Sequence, residues 1–261
     1  MADISQRACD VLKKVDLILA EDTRQSSKLL AHLGVKTPMI ALHEHNEEKM
    51  KAKDQALASN KEMALISDSG TPLISDPGFK IVGYLIKNQI SIIPIPGACA
   101  LTTALCASGI PTDSFSFFGF LPTVATKKNK FLQNLTDESK TMIFYESPKR
   151  VKNTIKTMFE LFGADRLCCI ARELTKVYEQ IVTADLGEVL KQINEGGIVL
   201  KGEFVIIIQG INRKNSIDDL ETIRILKILL ADVSLKQAVD LTCKITNINK
   251  NKVYKLALKC I

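Results

Sequence analysis

Short apolar runs alternate with helix-periodic segments through the first 210 residues of this chain, and this alternation constrains the fold most. The runs typical of buried strands lie at 17–20, 63–67, 90–95, 115–120, 141–146, 167–171, 178–183 and 203–209. Segments between them carry apolar residues at helical spacing, as Ala8, Val11, Leu12 and Val15 do before the first run. Strands that alternate with helices favour parallel pairing. The pattern therefore predicts an α/β fold in layers.

A stretch that contains Pro122 and several lysines, LPTVATKKNK, interrupts this alternation. We place a domain boundary there, which predicts an N-terminal α/β domain at 1–121 and a second α/β domain at 122–210. The strand pattern ends after Gly210, and 211–261 has the pattern of three helices with Ser234 and Asn249 as N-caps. A helix-turn-helix in this tail is typical of nucleic-acid docking, and equally of a packing unit.

Composition and charge narrow the class of protein. No run approaches the roughly 18 apolar residues of a membrane span, and the N-terminus lacks the basic and apolar regions of a signal peptide. We therefore expect a cytoplasmic protein with no membrane segment. The net charge is +6, and no acidic residue accompanies the lysines from Lys244 onward. Such a tail is typical of a phosphate-facing surface or of a solvated helical face, and charge alone leaves both open.

Two stiff loops follow predicted strands. SDSGTPLISDPG (67–78) combines two glycines and two prolines with acidic residues, and IPIPGACAL precedes a helix of small residues. Loops at the carboxyl ends of parallel strands meet at one edge of a sheet and carry binding residues, so we expect one site built from both loops. A single loop of this kind is also typical of a turn with no ligand. No phosphate-binding motif for ATP or NAD occurs in the chain, which disfavours both ligands.

Several motifs resemble a known family. They are AEDTR (20–24), LISDSGTPLISDPG (65–78), PIPGACALTTALCASGIPTDSFSFFGFLP (94–122), FYESPKR (144–150), ARELTKVYE (171–179) and GEFVIII (202–208). Together they resemble the 2′-O-ribose cytidine methyltransferases of bacterial small-subunit ribosomal RNA, within the tetrapyrrole methylase superfamily. The resemblance implies two α/β domains with S-adenosylmethionine between them, a helical tail, a homodimer, and methyl transfer to a cytidine 2′-hydroxyl in 16S rRNA of the small ribosomal subunit.

The resemblance also implies which residues bind the cofactor. These are Gly70, Thr71 and Ile74 around the methionine part, Cys99 and Ala100 in the second loop, and Tyr145, Ala171 and Phe204 from the second domain. A sulfonium methyl group is a good electrophile, so the remaining chemical requirement is a base for the attacking hydroxyl. The candidate carboxylates are Glu21, Asp22, Asp76 and Glu146. Asp22 is the preferred catalytic residue, and the adjacent Glu21 is named with it. Each of the four is more often an exposed acid or a partner of a nearby arginine such as Arg24, Arg150 or Arg172, since structural ion pairs often resemble active sites.

Basic residues in or beside the motifs are the candidates for contacts with RNA phosphates: Arg24, Lys28, Lys149, Arg150, Arg172 and Lys176. Each could also be ordinary solvated surface. His43 and His45 invite a metal hypothesis, but two alternating histidines with no clustered further ligands favour no metal.

One departure from the family concerns the N-terminus. Members of the family begin with a β-strand and a Thr-Pro-Ile-Gly-Asn-Leu loop ahead of the segment that starts here as MADIS. We expect the chain as given to fold less stably and to bind the cofactor more weakly than a chain with that strand restored. This departure keeps one alternative to the rRNA methyltransferase open, a truncated, inactive rRNA-binding remnant. A methylase that acts on a tetrapyrrole is a separate alternative, which the basic tail and the match of SDSGTPLISDPG and FYESPKR to the RNA enzymes disfavour.

Overall fold

The computed structural model describes residues 2–42, 61–211, 213–246, 248–258 and 260. The strands in these ranges are β1 (Leu17–Ala20), β2 (Met39–Ala41), β3 (Met63–Ile66), β4 (Phe115–Phe120), β5 (Thr141–Glu146), β6 (Leu167–Arg172), β7 (Gln180–Asp185) and β8 (Phe204–Ile208). The helices are α1 (Gln6–Lys14), α2 (Thr23–His32), α3 (Phe79–Lys87), α4 (Ala100–Ala107), α5 (Ala125–Gln133), α6 (Val151–Phe162), α7 (Leu186–Glu195), α8 (Arg213–Asp232), α9 (Leu235–Thr246) and α10 (Lys250–Ala257). No helix in the described ranges has the length and apolar content to cross a membrane.

The chain divides into two compact units. The first comprises Met1–Asn134 and Thr141–Gln209, and the second comprises Leu135–Lys140 and Gly210–Ile261. The first unit contains both predicted α/β segments except for Leu135–Lys140 and Gly210, which belong to the second unit. The boundary placed near residue 121 stays a prediction.

The first sheet is parallel, with strand order β2-β1-β3. Successive side chains of β1 point to opposite faces, and each face is covered by helices. Ile18 packs in one cluster with Leu12 of α1 and Leu30 of α2, while Leu19 packs with Ile81 and Leu85 of α3. Helices on both faces are what a buried parallel sheet requires, as the alternating pattern predicted.

The strand predicted at 90–95 does not form. These residues have no regular secondary structure, and the side chains of Ile92 and Ile93 are 41% and 67% exposed. A strand needs a neighbour for its backbone hydrogen bonds, and among the described residues β3 pairs with β1 alone. The prediction was wrong because an apolar run fixes only the tendency to form a strand, whereas pairing needs a partner.

The second sheet is mixed, with strand order β4-β5-β8-β6-β7. β4 and β5 are parallel and joined through α5, but the β5–β8, β8–β6 and β6–β7 pairs are antiparallel. The parallel pairing expected for this half was therefore wrong for all but one pair. The strand FSFFGF (β4), predicted to belong to the N-terminal domain at 1–121, is one of the two edge strands of this second sheet. Fully buried β8 lies at its centre, between β5 and β6.

The second unit is helical, as predicted. Leu226 of α8, Val239 of α9 and Val253 of α10 meet in one apolar cluster. Asn249 caps α10, since its side chain accepts a hydrogen bond from the Asn251 backbone N–H at 2.9 Å. At the start of α9, the Gln237 side chain accepts hydrogen bonds from the backbone N–H and the hydroxyl of Ser234. The unit thus has its own core and capped helix starts.

Candidate functional site

A cavity of about 430 Å³ opens in the first unit, where loops meet the ends of strands of the second sheet. Its walls come from five segments: the loop after β3 (69–71 and 74–76), the start of α4 (98–100), the end of β5 with the following turn (145–148), the loop after β6 (174–176), and the start of β8 (202–205). Thr103, Phe120 and Ala171 complete the wall. Loops on a rigid sheet are the usual place for a binding site.

The two stiff loops of the sequence touch each other at this cavity, as predicted. The Thr71 hydroxyl donates a hydrogen bond to the carbonyl oxygen of Ala98 at 2.9 Å. A side chain at Gly70 would bring its Cβ to 3.3 Å from that same carbonyl, and Gly70 has φ +82°. Glycine is required here because the two backbones approach closely and the conformation is left-handed.

Backbone strain is concentrated on the same walls. Of the five non-glycine residues with positive φ in the described ranges, Leu73 and Ser75 lie in the loop after β3, while Glu173 and Thr175 lie in the loop after β6. Such conformations each cost on the order of 1–3 kcal/mol, and they persist where the surrounding structure holds them for a function. This clustering marks the cavity as the candidate functional site.

The loop after β6 is held by a small ion-pair network. Lys176 Nζ contacts Glu173 Oε1 at 2.9 Å and Glu203 Oε2 at 2.8 Å. Gly202 has φ +86°, and a Cβ there would overlap the Glu173 carboxyl group. Gly202 therefore lets the start of β8 pass directly beside this loop.

Tyr145 joins the second loop to the second sheet. Its hydroxyl oxygen accepts a hydrogen bond from the Leu101 backbone N–H at 3.2 Å, in the first turn of α4. Burial raises the pKa of the Tyr145 hydroxyl to about 12, with a further contribution from the Cys99 thiol beside it. The phenol thus stays neutral at physiological pH and serves as a fixed hydrogen-bonding group.

Three carboxylates line the cavity, those of Asp76, Glu146 and Glu203, and their surroundings differ. Burial raises the pKa of Asp76 to about 6, a hydrogen bond with Ser67 opposes the shift, and the charges of Glu21 and Asp68 increase it. Glu146 is only 2% exposed and is fully engaged, since Ser147 N and Thr154 Oγ1 donate to it at 2.8 Å each. Glu146 also pairs with Arg150 Nε at 3.2 Å. Glu203 is held by Lys176 Nζ at 2.8 Å. Asp76 is therefore the carboxylate of this wall that is available for proton transfer.

The residues predicted as catalytic, Asp22 and Glu21, are not among those that line the cavity. Asp22 caps α2, because its Oδ1 accepts a hydrogen bond from Arg24 N at 2.8 Å, and this bond lowers its pKa. Glu21 Oε2 accepts from Asp68 N at 3.2 Å, and Asp22 N donates to Asp68 Oδ1 at 3.1 Å. Both residues thus support the loop after β3, which disfavours them as the base relative to Asp76.

All the residues predicted to hold a cofactor lie on the wall of this one cavity: Gly70, Thr71, Ile74, Cys99, Ala100, Tyr145, Ala171 and Phe204. The sequence reasoning missed Leu174, Thr175, Gly202 and Val205. Of these four residues, only Gly202 had a recognisable signal in the sequence, namely a glycine directly before a predicted apolar strand.

The six basic residues predicted to meet RNA have different surroundings. Arg24, Lys28, Lys149 and Lys176 are exposed. Arg172 is 8% exposed and donates hydrogen bonds to the carbonyls of Lys201 and Tyr178. Arg150 donates to the carbonyls of Leu121 and Pro122 at 2.6 and 3.1 Å.

His43 and His45 lie outside the described residues. Within the described ranges, no group of three His, Cys, Asp or Glu side chains has an arrangement that could hold a metal ion.

Two family models match this chain. Residues 1–190 match the model described as Tetrapyrrole (Corrin/Porphyrin) Methylases, and residues 216–260 match the one described as RsmI C-terminal HTH domain. Together the two models match most of the chain, and 191–215 lies between them.

Close relatives share one name. The chain is 42% identical to ribosomal RNA small subunit methyltransferase I of Pasteurella multocida, over 99% of this chain and 93% of that protein. The protein of the same name from Vibrio cholerae is 42% identical, over 99% and 91%. That from Escherichia coli O157:H7 is 40% identical, over 99% and 91%.

Solved structures resemble the chain in fold. The methyltransferase CobJ aligns with a TM-score of 0.57 at 15% identity, over 80% of this chain and 89% of that chain. Uroporphyrin-III C-methyltransferase from Thermus thermophilus, in complex with S-adenosylhomocysteine, aligns with a TM-score of 0.54 at 15% identity, over 80% and 91%.

Proposed function

The chain belongs to the tetrapyrrole methylase family and, within it, to the proteins named ribosomal RNA small subunit methyltransferase I, and from this we propose that it methylates the 2′-hydroxyl of a cytidine in 16S rRNA. As a member of this family it is an S-adenosylmethionine-dependent methyltransferase. The observation that carries the proposal is the cavity, because all the residues that the family resemblance assigns to the cofactor line it.

The residues of the cavity fit the cofactor. A volume of about 430 Å³ lies within the 300–1,000 Å³ typical of small-molecule sites. Small residues at 69–71 and 98–100 expose backbone groups, which can hydrogen-bond the polar ends of a nucleoside. Ile74, Phe204 and Val205 supply apolar surface for its less polar parts. Lys176, the cation on this wall, is already paired with Glu173 and Glu203, which suits a ligand without a triphosphate.

Asp76 is the residue that we propose as the base. When bound, S-adenosylmethionine would supply a methyl group for an attacking oxygen, and both electrons of the broken carbon–sulfur bond would stay on the positively charged sulfur. Asp76 accepts the proton that the attacking hydroxyl loses. With a pKa of about 6 its carboxyl is ionised near neutral pH and is still basic enough to receive a proton. Glu21 and Asp68 support this role by adding negative charge beside it.

Contacts with RNA fall to exposed cations. Arg24, Lys28 and Lys149 stay as proposed phosphate contacts. Arg150 and Arg172 are held by carbonyl groups of the chain itself, and Lys176 is held by two carboxylates, so these three are set aside. Exposed lysines of the helical unit, such as Lys244 and Lys255, add positive charge. A 16S rRNA substrate also implies a cytoplasmic protein, and we retain the homodimer as part of the proposal.

The experiment is a methyl-transfer assay with radiolabelled S-adenosylmethionine and small ribosomal subunits from cells that lack the modification. We expect label in 16S rRNA at one cytidine, in a linkage that resists alkaline hydrolysis because a 2′-O-methyl group blocks that reaction. The matched control is Gly70→Val, whose side chain would crowd the carbonyl of Ala98 and block the cavity.

Three results would contradict the proposal. Label on a base alone would refute the ribose specificity. Label in a tetrapyrrole with none in rRNA would favour the tetrapyrrole methylase. RNA binding with no affinity for the cofactor would favour the inactive remnant.

A further inference from the structure

A β-bulge in β4 changes the direction of one aromatic side chain. Phe117 pairs with Ile143 of β5, but Phe120 pairs with Tyr145, so three steps on β4 match two on β5. Gly119, inside the bulge, has φ +63°. In a regular strand residues three apart point to opposite faces, whereas an extra residue brings them to the same face. Phe117 and Phe120 therefore both contact the ring of Tyr145, with centroids 4.9 and 5.7 Å apart.

The bulge places Phe120 on the cavity wall with its ring open to solvent. Phe120 is 59% exposed, whereas the other aromatic residues of the wall are half-buried Tyr145 and fully buried Phe204. Burying a phenylalanine side chain stabilises a folded protein, and much of this stabilisation is absent at this position. β-Bulges are enriched beside active sites, where they aim a side chain at a ligand.

The chain holds the Phe120 ring in place. Leu121, the next residue, is 3% exposed, and its carbonyl accepts a hydrogen bond from the Arg150 guanidinium at 2.6 Å. The same guanidinium donates to the carbonyl of Pro122 at 3.1 Å and pairs with Glu146. With its backbone fixed and its edge against Tyr145, the ring is a rigid apolar surface at the cavity.

A rigid, exposed aromatic ring at a methyl-transfer cavity is suited to a nucleobase. Proteins that act on a nucleotide take its base out of the stack and receive it on aromatic side chains. We propose that Phe120 is the platform on which the base of the target nucleotide stacks, so that its ribose faces the cavity. The inference rests on the proposed function, since only a nucleic-acid substrate supplies a base.

The first test separates binding of RNA from binding of the cofactor. Base–aromatic stacking contributes about 1–3 kcal/mol, so Phe120→Ala should lower kcat/KM for the rRNA substrate by about 5- to 150-fold. Phe120→Trp should keep most of the activity. The affinity for S-adenosylmethionine, measured by calorimetry, should equal that of the wild type for both variants. Unchanged kcat/KM in Phe120→Ala, or a parallel loss of cofactor affinity, would overturn the proposal.

The second test reads stacking directly. The chain contains no tryptophan, so Phe120→Trp introduces a single fluorescent reporter at the platform. With S-adenosylhomocysteine bound, adding 16S rRNA should quench the emission of the new tryptophan. A filter-binding assay on the same samples measures the bound RNA, and the quenching should rise in proportion to it. The matched control is Phe115→Trp at the other end of β4, which is 42% exposed and is not among the cavity-lining residues. Its emission should not change with RNA.

Two results of the second test would refute the platform. Bound RNA without quenching of Phe120→Trp would show that no base stacks there. Quenching by S-adenosylhomocysteine alone, with no further change on adding RNA, would show that the ring meets the adenine of the cofactor instead. A wild-type chain that methylates no RNA would instead contradict the proposed function, and this outcome is visible before any variant is made.

Discussion

Replacing Asp76 with asparagine should stabilise the protein and abolish most of its activity. Its pKa is raised from 3.8 to about 6, chiefly by burial, so the folded state disfavours the charged carboxylate. At about 1.4 kcal/mol per pKa unit the full shift corresponds to roughly 3 kcal/mol. Because the group is partly solvated, screening reduces this to about 1 kcal/mol. Asparagine keeps the size of the side chain and removes the charge.

The sign of the pH dependence follows from the raised pKa. At a pH below about 4, Asp76 is protonated in both the folded and the unfolded states, and the wild type and Asp76→Asn should be equally stable. As pH rises from about 4 to 6, the unfolded state loses its proton first and the wild type loses stability. Near pH 8 the variant should be about 1 kcal/mol more stable, or 2–4 °C higher in Tm for a chain of this size.

Thermal melts at pH 4.5 and pH 8, with methyl-transfer rates at pH 8, provide the assay. Loss of a general base should reduce kcat by about 10²- to 10⁴-fold, while cofactor affinity is retained. Asp113→Asn, an exposed acid that is not among the cavity-lining residues, is the control and should change neither stability nor rate. A variant that is less stable than the wild type at pH 8, or one that retains full activity, would refute the reasoning for Asp76.

The remaining predictions concern the cavity walls and the RNA contacts. Gly202→Ala should lower the free energy of unfolding by about 1–3 kcal/mol and weaken cofactor binding. Residue 202 has a left-handed backbone conformation, and the added Cβ would overlap the carboxyl group of Glu173. An unchanged Tm and an unchanged cofactor affinity would contradict this. Tyr145→Phe should lower the free energy of unfolding by about 1 kcal/mol, because the backbone N–H of Leu101 loses its acceptor. Denaturant unfolding measures this change, and a variant as stable as the wild type would show that the hydrogen bond contributes nothing. Lys149→Ala should reduce the slope of log K against log salt for RNA by about 0.7–0.9, whereas an unchanged slope would exclude Lys149 as a phosphate contact.

Much of the site could be predicted from the sequence because its residues lie in local motifs. The two stiff loops are set by glycine and proline, whose conformational preferences are properties of single residues. Two strands of the parallel first sheet, β1 and β3, likewise follow from apolar runs separated by helices, whereas β2 was not predicted. These features depend on residues close together in the chain, so the order of residues alone indicates them.

Only the tertiary structure decided how distant segments meet. The place of β8 between β5 and β6 depends on long-range pairing, which an apolar run does not specify. The roles of charged residues depend on where folding places them. Arg150 holds the carbonyl of Leu121, and Asp76 lines the cavity whereas Asp22 does not. The sequence by itself determined the kinds of elements and the binding loops, since these follow from local conformational preference. The tertiary structure determined strand direction, charge environment and the outward turn of Phe120, since each is set by contacts between residues that the chain brings together only on folding.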